Sequence, residues 1–165
     1  MVLPDQIALR RFTLAEAAEA GGARFHTVRT WLRRDVLIGL AAEDDRPNPG
    51  RRIERHVSYG RVLQIAVVQV LVDLGIPAER AGLAALQFTH RAARDHSRMP
   101  ACLWPSGSTV LVVPSEGDAR CVHLPDSRLP VPLALPQGTP AAVLVDLNQL
   151  VRTVRARIAQ MDGAP

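Results

Sequence analysis

Residues 13–33 read Thr13-Leu14-Ala15-Glu16-Ala17-Ala18-Glu19-Ala20-Gly21-Gly22-Ala23-Arg24-Phe25-His26-Thr27-Val28-Arg29-Thr30-Trp31-Leu32-Arg33. A threonine followed three positions later by a glutamate can satisfy two unpaired amides of a helix start reciprocally. Thr13 and Glu16 therefore predict a capped helix running to about Ala20. Gly21 and Gly22 stop it. A second pattern then begins: Phe25, Val28 and Leu32 recur at i, i+3 and i+7, which predicts one buried stripe. The opposite side carries Arg24, His26, Thr27, Arg29, Thr30 and Arg33. Two short helices joined by a glycine turn, the second apolar inside and arginine-rich outside, have the layout of a helix-turn-helix with its recognition helix second.

Downstream, residues 39–57 have no helical period. Glu43-Asp44-Asp45 and Pro47-Asn48-Pro49-Gly50 mark a turn-rich excursion that ends in a basic run containing Arg51, Arg52 and Arg55. A loop or hairpin with arginines at its tip, beside a helix-turn-helix, reads as a wing laid along a phosphate backbone. From Ser58 to Leu74 apolar residues cover most of a helix circumference, so that helix is expected between other elements. Gly75 ends it, Pro77 suits the first turn of the next, and the residues favour helix from Ala78 to about Arg98. The small-residue stripe there (Ala81, Ala84, Ala85, Phe88, Ala92) has no sustained heptad.

The last third changes character. Eight of the 13 prolines lie between Pro100 and Pro140, which forbids long helices there. Residues 108–113 and 119–124 are β-type runs around the turn Ser115-Glu116-Gly117-Asp118, a predicted hairpin, and residues 142–145 suggest a third strand. Asp146 and Gln149 then cap a final helix. Its stripe of Leu147, Leu150, Val151, Val154, Ile158 and Met161 is expected to serve dimerisation, because so small a module needs a partner copy to cover it. The expected fold class is mainly α with a small α+β C-terminal part. The expected divisions are a tail (1–11), a winged helix-turn-helix (12–76), a linking helix (77–99) and an α+β dimerisation or effector module (100–165).

All 20 basic residues of this 165-residue chain are arginine. Residues 1–98 hold 15 of them against 11 acids, and residues 99–165 hold five against five, so the net charge of +4 sits entirely in the first part. Such a footprint points to nucleic acid, although a solvated basic face has the same composition. The longest apolar stretch, Val62 to Gly75, is broken by Gln64, Gln69 and Asp73, and is too short and polar to cross a bilayer. No secretory leader is apparent. Cys102 and Cys121 alone make no disulfide framework, so a cytoplasmic, nucleoid-associated protein with no membrane partner is expected.

Other chemistry has little support. Cys121 and His123 would share a strand face, and with Cys102 and His96 could hold a metal, but the spacing fits no zinc pattern. His90, Asp95 and Ser97 point in different directions and lack an oxyanion hole. The expectation is no enzyme, no cofactor and no metal.

With these residues in view, positions 12–83 resemble the DNA-binding domain of the MerR family of bacterial transcription regulators. The family's recognition helix reads Thr-Leu-Arg-Tyr-Tyr-Glu followed by Gly-Leu-Leu; here Thr27-Val28-Arg29-Thr30-Trp31-Leu32 is followed by Asp35-Val36-Leu37. Its wing carries Gly-Tyr-Arg-x-Tyr-Ser, matched by Gly50-Arg51-Arg52 and Val57-Ser58. The helix after that serine then keeps the family register through Val62, Ile65, Val68 and Leu74-Gly75-Ile76. The resemblance implies a regulator that binds a two-fold related promoter site in double-stranded DNA as a homodimer, distorts it, and works with RNA polymerase. It places Arg29 on guanine or phosphate, the bland alternative being a surface pair with Asp35 or Glu19. Arg24, His26, Thr27, Thr30 and Arg33 complete that helix's contact set, and Arg51, Arg52 and Arg55 give phosphate contacts from the wing. Trp31 either donates its indole N–H to a phosphate or packs in the core. Two other readings keep the scaffold: an excisionase-like architectural DNA binder, and an adaptor gripping an acidic protein.

Overall fold

The computed structural model describes residues 6–38, 56–93, 97–125 and 139–163. The fold grows from the cap at Thr13, whose hydroxyl accepts from the Glu16 amide at 3.2 Å while the Glu16 carboxylate accepts from the Thr13 amide at 2.7 Å. That reciprocal pair starts α2 (Leu14–Gly21), which comes after a single-turn α1 (Gln6–Leu9) and the strand β1 (Arg11–Thr13). Gly22 closes α2 at φ 75°, a left-handed conformation that favours glycine. α3 (Phe25–Arg33) begins almost at once. Phe12 of β1 faces Val57 of β2 (His56–Ser58) in a short antiparallel ladder.

The Ser58 hydroxyl accepts from the Arg61 amide at 3.4 Å and opens α4 (Tyr59–Asp73), which is buried on nearly every side. It lies among α2, α5 (Ala78–Thr89) and α6 (Leu147–Asp162), as its all-round apolar sequence requires. A second antiparallel sheet has β3 (Ser108–Pro114) at its centre, flanked by β4 (Arg120–Leu124) and β5 (Ala142–Asp146). Leu111 pairs with Cys121 on one side and Val145 on the other. The Asp146 side chain accepts from the Gln149 amide at 3.0 Å and caps α6. The fold is thus α+β, with two small antiparallel sheets among the described residues. No helix among the described residues is long and apolar enough to cross a membrane.

Three expectations need correction. The first concerns α5, which ends at Thr89 rather than near Arg98. Arg98 folds back instead, and its buried guanidinium donates to the carbonyls of Gln87 (3.0 Å), Phe88 (3.1 Å) and Arg91 (2.6 Å), which occupies the groups where the helix stops.

The second concerns the α6 stripe. Leu147, Leu150, Val151, Val154 and Ile158 are buried within the chain's own core, and Met161 packs partly against it. They face α2, α4 and β3, so this stripe leaves little apolar surface for the dimer contact expected of it.

The third concerns the divisions at 76/77 and 99/100, since one hydrophobic cluster runs from Phe12 through Leu63 and Phe88 to Leu111 and Ile158. A small module that cannot bury enough surface by itself has been completed by the helices before it. Polar contacts fasten the same join. Arg157 donates to the Ala20 carbonyl at 3.4 Å, and Arg10 grips Asp162 at 2.5 and 2.6 Å while reaching Glu16 at 3.2 Å.

Candidate nucleic-acid interface

The site is one face of α3. The Val28 amide donates to the Arg24 carbonyl at 3.1 Å, and Arg24 itself sits extended at the N-cap with no side-chain cap. At about 100° per residue, Val28 and Trp31 lie roughly 60° apart and define the inward side. Both are buried, Trp31 to 5% exposure. Leu32 is half-buried at the margin, and Phe25 is 40% exposed. This corrects the expected stripe: the larger Trp31 takes the inward position, and Phe25 comes out at the margin beside Leu32. Of the two readings open for Trp31, the structure places its ring in the core.

The outer arc presents Phe25, His26, Arg29 and Arg33, all exposed, with Arg24 exposed at the helix start and Thr27 and Thr30 half-buried. The Thr30 hydroxyl donates to the His26 carbonyl at 2.9 Å, so its proton is used within the helix. Arg29 lies with its guanidinium carbon 5.7 Å from the Phe25 ring centre. Neither Asp35 nor Glu19 pairs with it, and no carboxylate among the described residues pairs with Arg24 or Arg33. The next arginine, Arg34, is only loosely opposed by Glu79 at 3.8 Å, both well exposed. α3 therefore offers guanidinium groups with no carboxylate partner among the described residues, on a helix that itself carries no acid.

The segment after α3 is held firmly. Asp35 adopts φ 54°, a left-handed conformation that short polar side chains tolerate. Val36 and Leu37 then turn inward, and a β-carbon at Gly82 would collide with the Val36 carbonyl oxygen. From α4, the buried Arg61 donates to the Leu37 carbonyl at 2.6 Å and to the Gln64 side-chain oxygen at 2.5 Å. The Gln64 amide donates to the Ile38 carbonyl at 2.9 Å. Hence the chain leaves Ile38 from a buried polar clamp and re-enters at His56 beside β1. Arg51, Arg52 and Arg55, expected as wing contacts, lie between those two points and outside the described residues.

In the sequence, Arg61 and Arg98 count only towards a basic surplus, although both are buried. Gln64 signals only a break in an apolar run. A polar residue inside an otherwise apolar helix is the available hint, since such a group needs a buried partner.

The remaining candidates separate. Burial pushes the Cys121 thiol up to about 11 against the opposing charge of Arg98, so it stays protonated near neutrality. His123 stacks on Trp104 with ring centres 5.2 Å apart, and its Nε2 is 2.8 Å from the Ser106 carbonyl. Cys102 is exposed, and His96 and Asp95 lie outside the described residues. The Ser97 hydroxyl accepts from the Trp104 indole at 2.9 Å, and His90 Nδ1 is 2.7 Å from the Thr89 hydroxyl. No group of three His, Cys, Asp or Glu residues among those described could hold a metal ion.

No family model matches the chain, and no curated protein matches it in sequence.

Proposed function

We propose that this chain is a winged helix-turn-helix DNA-binding protein of the MerR-like type that acts as a sequence-specific transcription regulator. The observation that carries the reading is α3, where Arg29 and Arg33 on the outer face and Arg24 at the helix start stand exposed without carboxylate partners among the described residues. Two features support it. α2 and α3 are joined by a tight Gly22 turn, and Asp35 holds a left-handed backbone at the position where the resembled family has glycine.

In this reading α3 enters the major groove. Arg29, in the middle of the helix, forks onto guanine O6 and N7, while Arg24 and Arg33 meet phosphates on either side. Arg51, Arg52 and Arg55 add contacts that carry no sequence information. Each phosphate neutralised releases counterions, and this supplies the sequence-independent part of the affinity. Two copies on a two-fold operator would each place one α3 in a half-site; with the α6 stripe in the core, the copies meet through other surfaces.

The test is fluorescence anisotropy with duplexes selected from a random pool, comparing wild type with Arg29→Ala. The expected result is a specific complex whose preference at one base pair collapses in the variant, about 5- to 100-fold for removal of a bidentate pair. A wild-type protein that ignores duplex DNA at low salt, or an Arg29→Ala protein with unchanged base preference, overturns the role given to α3.

A further inference from the structure

We infer that Phe25 and Arg29 form a two-part base reader, in which the Phe25 ring takes the C5-methyl of a thymine and Arg29 takes a guanine one or two base pairs away. The inference rests on the DNA-binding reading above. Phe25 is the large apolar side chain on an otherwise polar and cationic face, and it is 40% exposed. It is held in place there. The His26 ring meets it edge-on, with centres 5.7 Å apart and planes at 65°, and the Arg29 guanidinium stands 5.7 Å from its centre.

The major groove offers hydrogen-bonding edges at every base pair, but its apolar feature is the thymine methyl. An apolar ring on a helix lying in that groove therefore has one chemical complement. Arg29 sits one turn further along the same side, i and i+4. Contact with the ring limits the guanidinium's rotamers, so less freedom is surrendered when it forks onto O6 and N7. Four residues advance about 6 Å along a helix, between one and two base-pair rises of roughly 3.4 Å, which suits two bases one or two steps apart.

The experiment replaces each thymine of a selected duplex, in turn, with deoxyuridine, which keeps the pairing and lacks the methyl. Wild type is expected to lose about fourfold in affinity at one position of the half-site, as burial of a single carbon predicts. Phe25→Ala is expected to bind the thymine and uracil duplexes equally. Its thermal midpoint should stay near that of wild type, because the buried Val28 and Trp31 are untouched. A wild-type protein that binds duplex DNA but is blind to every methyl overturns this inference and leaves the DNA-binding reading standing, as does a uracil penalty that persists in Phe25→Ala. A wild-type protein that binds no duplex overturns both.

Discussion

The Glu16 carboxylate accepts from the Thr13 amide and lies beside Arg10, and these contacts hold its carboxyl below the ordinary value of 4.5 despite opposing desolvation. A depressed native value means that the unfolded chain takes up the proton first. The stabilisation is full above the ordinary value and fades as pH falls towards the lowered one. It is small, since solvent screens a half-exposed group. In urea titrations from about pH 6 down to about pH 3, wild type should lose this increment, while Glu16→Gln, which can keep the cap, should show no such loss. A second residue tests backbone strain. Asp35 sits at φ 54°, so Asp35→Val should cost about 1–2 kcal/mol and Asp35→Gly should fall within about 0.5 kcal/mol of wild type. The first of these residues is legible in the sequence and the second is not. A capping box is written in two residues three apart, whereas the left-handed turn at Asp35 shows only against a family in which glycine stands there. Phe25 leaves its expected buried position, and Trp31 takes the core one of its two readings, for a related reason: a short amphipathic helix tolerates a rotation of its stripe, and the neighbour decides which edge is covered.

At the scale of elements, the legible features are the local ones. The α2 cap, the Gly22 stop, the β3–β4 hairpin and the Asp146 cap all arise from residues close together in the chain. The partner of α6 does not, because periodicity identifies an apolar face and is silent about what covers it. The early end of α5 is equally non-local, being set by Arg98 reaching back to carbonyls of Gln87 and Phe88. The α6 assignment has a direct consequence. Ile158 is buried in the core on α6, the helix that packs against α2, α4 and β3, so Ile158→Ala should lower unfolding free energy by about 2–5 kcal/mol in urea, independently of protein concentration. A destabilisation that appeared only at low concentration would restore the stripe to a subunit contact.

Across the whole molecule, a shared core joins the basic first part to the neutral last part, and α6 is tied to the end of α2 through Arg157 and to Arg10, ahead of β1, through Asp162. The arrangement supports α3 from behind and leaves its cationic face outward. Charge composition can locate the surplus of arginine but cannot divide it into buried clamps, Arg61 and Arg98, and solvent-facing groups, Arg24, Arg29 and Arg33. The central claim is that this last set meets phosphates and bases. Its most direct measurement is the slope of log affinity against log salt for a selected duplex, in wild type and in a variant with Arg24, Arg29 and Arg33 all changed to Gln. The predicted result is a steep negative slope in wild type that becomes shallower in the variant by about 0.9 for each phosphate no longer neutralised; equal slopes in the two proteins, or affinity indifferent to salt, would contradict it.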